Sequence, residues 1–183
     1  MDQQILLYIG VSLLLSALFS GVEIAFISAN RLHIELQAKK GLLSSRLLSF
    51  FIKKPSFFIG TSLIGNTVSL VAFSTLMTSA LHPYFAHYGE MNFLLLQTLF
   101  STIIVLVFAE YLPKSLFLLN PNRLLSFFIY PFVVIATLLS LPVYLIVTSS
   151  KFLLTKILKT PYSEEIPPFS LTDLNYYIQK ISP

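Results

Sequence analysis

Three stretches of this chain, residues 5–27, 57–81 and 93–119, are apolar almost throughout and long enough to cross a bilayer. About 20 consecutive apolar residues in a helix span the hydrocarbon core, so each stretch predicts a transmembrane helix. Composition agrees: 55% of residues are hydrophobic and 11% charged, where a soluble domain carries roughly a quarter charged residues. The first stretch is expected to be a retained helix rather than a cleaved signal peptide. It lacks a basic leader, its only early charge is Asp2, and the apolar run continues through Ile24 to Ile27.

Charge sets the expected topology. The loop at 28–56 carries Arg31, Lys39, Lys40, Arg46, Lys53 and Lys54 against Glu35 alone, whereas the loop from His82 to Glu90 has no lysine or arginine. By the positive-inside rule the first loop is cytoplasmic and the N-terminus is outside. His82 and His87 are then solvated in the outer loop. A fourth apolar run, 124–150, contains Pro131 and Pro142, and proline inside a helix kinks or breaks it. A fourth span would also put Lys151, Lys156 and Lys159 outside. The run is therefore expected to lie as a broken element at the cytoplasmic face, although hydropathy alone would make it a span. In the first loop, Ala29–Ala38 has helical spacing, Gly41 can end that helix, and Ser44–Ile52 forms a second helix before Pro55.

The expected fold is thus an all-α membrane protein with three transmembrane helices per subunit. Residues 1–120 form the transmembrane domain, with a cytoplasmic helix-turn-helix at 29–54. A juxtamembrane helical belt follows at 121–160. Residues 161–183 read as a linker, with Thr172 a candidate helix cap, and the chain is expected to continue into a soluble domain. The basic loop is better explained by the membrane surface than by nucleic acid, since no groove-reading element is evident.

Two acids sit in the apolar runs, Glu23 and Glu110. A carboxylate at membrane depth is costly unless a cation partners it, and by default it marks a functional site. Counted from the cytoplasmic ends, Ser20, Asn66 and Glu110 all lie about 12–15 Å deep at 1.5 Å per residue. Ser62 is one turn from Asn66, and Ser69 lies three residues beyond it. Gly21, Gly60 and Gly65 permit close helix approach. Pro113 has no N–H, so the carbonyl of Ala109 loses its intrahelical partner and can become a further oxygen ligand. Hydroxyl, amide and carboxylate oxygens at one depth suit Mg²⁺ or Ca²⁺. With no cysteine and few histidines, a soft-metal site is disfavoured. Blander readings stand beside this one. Each serine could bond its own backbone, Asn66 could bind helices together, and Glu110 could form a structural ion pair with Lys114. Glu23, nearer the interface, could pair with a loop arginine, and Lys114 could snorkel to the surface.

Three motifs give these residues a familiar context: SGVEIAF at Ser20–Phe26 followed by SANRL at Ser28–Leu32, PSFFIGTSLIGN at Pro55–Asn66, and AEYLPK at Ala109–Lys114. Together they resemble the transmembrane domain of the CorC/CNNM magnesium-transporter family. The resemblance implies a homodimer in the plasma (inner) membrane, with three spans and a juxtamembrane belt per subunit. It also implies a following CBS-type cytoplasmic region, and Mg²⁺ export driven by Na⁺ as coupling ion. It maps an ion site onto Ser20, Asn66 and Glu110, with Ser62 beside them and Glu23 and Lys114 nearby; from the residue reading above, Gly21, Gly65, Ser69 and Pro113 are expected to support it. A non-transporting Mg²⁺ sensor or membrane scaffold acting on a partner is the alternative. An enzyme is not expected. No histidine lies at membrane depth and no aspartate pair exists, so neither a Ser–His nor an aspartyl protease dyad can be built.

Overall fold

The computed structural model describes residues 3–85 and 89–157, and every regular element among them is helical. Helix α1 runs Gln3–Ser28, α2 Arg31–Lys39, α3 Leu43–Ile52 and α4 Pro55–Phe85. A third long helical run is built from α5 (Glu90–Ile104), a π-helical segment (Val105–Tyr111) and α6 (Leu112–Leu119). Then come α7 (Pro121–Leu138), α8 (Ser140–Phe152) and a short π-helical segment, Leu153–Ile157. His87, Lys159 and the expected linker at 161–183, with Thr172, lie outside the described residues.

Each expected span falls inside one long helix. The second runs four residues further than expected, so His82 and Pro83 are helical rather than loop residues. Large apolar side chains such as Leu14, Leu63, Val71, Leu95 and Leu99 are exposed along these helices. In water such surfaces would be aggregation-prone; in a bilayer they face a matching solvent. Among the described residues, four helices are long and apolar enough to cross a membrane: Gln3–Ser28, Pro55–Phe85, Glu90–Leu119 and Pro121–Leu138. Length and composition therefore admit α7 alongside the three expected spans.

The chain divides into two compact units, Met1–Ile24 with Ser62–Leu119 and Ala25–Thr61 with Asn120–Pro183. In the first, Ile9 of α1 packs with Phe73, Met77 and Ala80 of α4, and Ile104 and Val105 of the third run close over them. Phe93 meets His82 edge-on at 5.4 Å.

The second unit is built on phenylalanine. Phe58 stacks on Phe26 at 3.9 Å and on Phe132 at 4.3 Å, while Phe51 meets both Phe58 and Phe132 edge-on. Helix α2 starts at Asn30, whose side chain accepts from the His33 N–H at 2.9 Å, a conventional N-cap that satisfies one orphan donor. Asn122 Oδ1 accepts from the Asn30 N–H, fixing the start of α7 to the same point. Gly41, at φ +93°, makes the left-handed turn that L side chains disfavour, and α2 and α3 pack against each other across it.

The fourth apolar run departs from expectation in detail. Pro131 does not interrupt it; α7 continues through. Leu125, Ile129, Phe132 and Ala136 are all buried, forming a stripe at helical spacing. Its packing against Phe51 and Phe58 holds the helix across the missing hydrogen bond. The break comes instead at Leu139, and Pro142 occupies the first turn of α8, where an N–H has no intrahelical acceptor to lose.

Candidate cation site

The site residues lie on α1, α4 and the third run, all within the first unit. On α1, Ser12, Ser16 and Ser20 recur every four residues, and all three are buried. Ser12 donates to its own helix, at the Tyr8 carbonyl. Ser16 donates to Asn66 Oδ1 on α4 at 2.5 Å. Ser20 is 1% exposed, and its hydroxyl has no hydrogen-bond partner among the described residues. A buried hydroxyl left unpaired costs about 1–3 kcal/mol, so its lone pairs and proton are available to a polar partner.

Helix α4 meets α1 through two more contacts. Ser62, fully buried, donates to the Phe19 carbonyl at 2.7 Å. The Phe19 ring lies directly over Gly65, so closely that a β-carbon there would come within 2.6 Å of its ring atoms. Gly65 thus has the role that its small size suggested, with Phe19 as its partner. The pairs Ser16–Asn66 and Phe19–Ser62 fix an antiparallel register in which Ser20 lies one residue from the Phe19–Ser62 contact. Both hydrogen bonds spend the serine protons and leave lone pairs on the hydroxyl oxygens. Ser69 donates to the Gly65 carbonyl of its own helix, the local pattern common to serine in membrane helices.

The third run reaches α1 one turn further on. Phe117 packs over Gly21, with ring atoms 2.5–2.9 Å from where a β-carbon would stand. Glu23 of α1 lies within electrostatic reach of Lys114 and Glu110. Lys114 Nζ is 3.7 Å from Glu110 Oε2, one turn along the same helix, with both side chains part-exposed.

Glu110 itself stands in the π-helical segment Val105–Tyr111. The hydrogen-bond ladder has slipped by one residue, so that the Leu112 N–H reaches the Val107 carbonyl. Pro113, buried in the second position of α6, cannot donate to Ala109, and Ala109 is fully buried. Such π turns are rare and concentrate at functional sites. Among the described residues, no three His, Cys, Asp or Glu side chains come together as a metal-binding group.

The cyclin M transmembrane N-terminal domain model matches residues 7–181. The chain belongs to the CNNM (CorC) family. Among curated relatives, the UPF0053 inner membrane protein YfjD of Escherichia coli K12 is 34% identical over 109 residues, covering 60% of this chain and 24% of that protein. The UPF0053 protein sll0260 of Synechocystis is 30% identical over 129 residues, covering 65% of this chain and 29% of that protein. The matched region is thus about a quarter of each relative's length. Membership makes this a multi-pass membrane domain of the CNNM family.

Two residues that matter in this CNNM domain escaped the sequence reading. Ser16 is the partner of Asn66, and Phe19 supplies both the carbonyl for Ser62 and the ring over Gly65. The signal for Ser16 was present in its four-residue spacing from Ser20. Nothing in the sequence marks Phe19 among the other phenylalanines.

Proposed function

We propose that this chain is the membrane domain of a Mg²⁺ exporter driven by inward Na⁺ flow, with Ser20, Ser62, Asn66, Glu110 and the Ala109 carbonyl as the oxygen ligands of the transported ion. The observation that carries the reading is the buried Ser20 hydroxyl, without a hydrogen-bond partner among the described residues, on a helix tied by its neighbours to Ser62 and Asn66 and packed through Gly21 on Phe117 of the third run. Mg²⁺ suits oxygen ligands and retains waters, so a few protein oxygens suffice for a weak, releasable site. Glu23 and Lys114 tune the local charge. Gly21, Gly65 and Pro113 let the helices approach and rock.

Energetics favours Na⁺ coupling. Moving two charges outward against an inside-negative potential costs about 4.6 kcal/mol per 100 mV. Two Na⁺ moving inward per Mg²⁺ cancel that electrical term and leave the Na⁺ concentration gradient as the drive. In this reading the protein is a homodimer in the plasma membrane. The N-terminus is outside, the α2–α3 hairpin and α7–α8 belt are cytoplasmic, and three helices span. A CBS-type region follows on the cytoplasmic side.

Coupling is tested by Mg²⁺ efflux from loaded liposomes carrying the full-length protein, with external Na⁺ replaced by an organic cation. Efflux should collapse; efflux at the same rate without Na⁺ rules the coupling out. Topology is tested by Thr160→Cys. Labelling from the cytoplasmic side is expected, and labelling from the outer side alone would establish a fourth span.

A further inference from the structure

A second polar level lies along the third run, away from Glu110. Gln97 and Ser101 of α5 are one turn apart and only 7% and 8% exposed. With Phe93 they form the buried stripe of that helix. Gln97 Nε2 donates to Thr78 Oγ1 of α4 at 2.5 Å. The orientation of that amide is fixed by chemistry. Thr78 has one hydroxyl proton, and it is spent on the Ser74 carbonyl at 2.9 Å, so Thr78 can only accept from Gln97. Gln97 must therefore present its N–H to Thr78 and turn Oε1 the other way. Ser101 Oγ is buried with no hydrogen-bond partner among the described residues.

An apolar layer separates this level from the carboxylate. Ile104 and Val105 lie between Ser101 and Glu110 in sequence and pack on Ile9, Phe73, Met77 and Ala80. Ser101 stands nine residues before Glu110, about 13 Å along the helix. This packed apolar layer keeps the two polar levels apart.

The ligand class follows from charge. Gln97, Ser101 and Thr78 offer neutral oxygens only. Mg²⁺ gives up its water reluctantly and is bound with carboxylate help, so a site of neutral oxygens suits a monovalent ion. We propose that Gln97 Oε1 and Ser101 Oγ, with retained waters, form a station for an alkali cation, and that Thr78 is the positioning residue that holds the Gln97 amide in register. Resting on the exchange reading above, this station is the first stop for the inward-moving Na⁺, separated by the apolar layer from Glu110.

The test uses the full-length protein in liposomes and follows Mg²⁺ efflux against external Na⁺ for wild type, Gln97→Leu, Ser101→Ala and Ser101→Thr. Loss of an oxygen ligand should raise the half-saturating Na⁺ about tenfold in Gln97→Leu and Ser101→Ala. Mg²⁺ affinity by calorimetry should stay unchanged, which also verifies the fold. Ser101→Thr, which keeps the hydroxyl, should stay near wild type. If Gln97→Leu fails to fold, Ser101→Ala decides. Wild-type Na⁺ dependence retained in a folded Ser101→Ala overturns the station and leaves the exchange reading standing. Na⁺-independent efflux by wild type overturns the exchange reading, and the station with it.

Discussion

Gly65→Ala probes the contact that sets the register between α1 and α4. A β-carbon at Gly65 would stand 2.5 Å from Phe19 Cε1 and 2.6 Å from Cε2, where ordinary contact begins near 3.4 Å. Phe19 Cζ stands closer still, so the ring must retreat by about 1 Å to restore ordinary contact. Overpacking of this kind costs about 1–3 kcal/mol. Alanine's better helix propensity offsets this by roughly 0.5–1 kcal/mol. Gly10→Ala separates the two effects, because a β-carbon at Gly10 meets nothing within 4 Å. Thermal unfolding in detergent, followed by circular dichroism, should place Gly65→Ala below Gly10→Ala by roughly 2–12 °C, from about 2–4 °C per kcal/mol at this chain length. Displacing Phe19 also moves the carbonyl that Ser62 donates to, so Mg²⁺ affinity should fall in the same variant. Equal melting temperatures for the two variants, with Mg²⁺ affinity intact, would refute the packing argument.

Other expectations follow from single contacts. Ser16→Ala removes the donor to Asn66 Oδ1; interhelical hydrogen bonds in membranes are worth about 0.6 kcal/mol and at most about 1.7. The melting temperature should barely move, while calorimetric Mg²⁺ affinity drops by about tenfold or more because Asn66 loses its orienting partner. Phe58→Ala deletes a fully buried ring stacked between Phe26 and Phe132 and should cost about 3–5 kcal/mol, seen as loss of folded protein after mild heating.

Much of this architecture was legible in the sequence, because a bilayer reduces the choices. The three apolar runs and the two short loop helices with Gly41 between them follow from length, spacing and one conformationally special residue. The helix-breaking prolines were read less well, because their outcome depends on what surrounds them. Pro131 sits in a helix held by the buried Leu125–Ala136 stripe, and Pro142 falls in a first turn that needs no donor there. Pro113 announced a disturbed ladder near Glu110, but whether the backbone kinks or slips into a π turn is decided by packing. The polar pairing was legible only in part. Ser16 follows from the serine spacing on α1, whereas the match between Gln97 and Thr78 requires the relative placement of two helices that sequence does not supply.

The most direct test of the cation site is Mg²⁺ titration calorimetry of Glu110→Gln against wild type in the same detergent. The substitution keeps the side-chain volume and removes the only carboxylate on the π turn. The account predicts that Mg²⁺ binding disappears while helicity and melting behaviour are retained. Mg²⁺ affinity unchanged in a folded Glu110→Gln protein would contradict it.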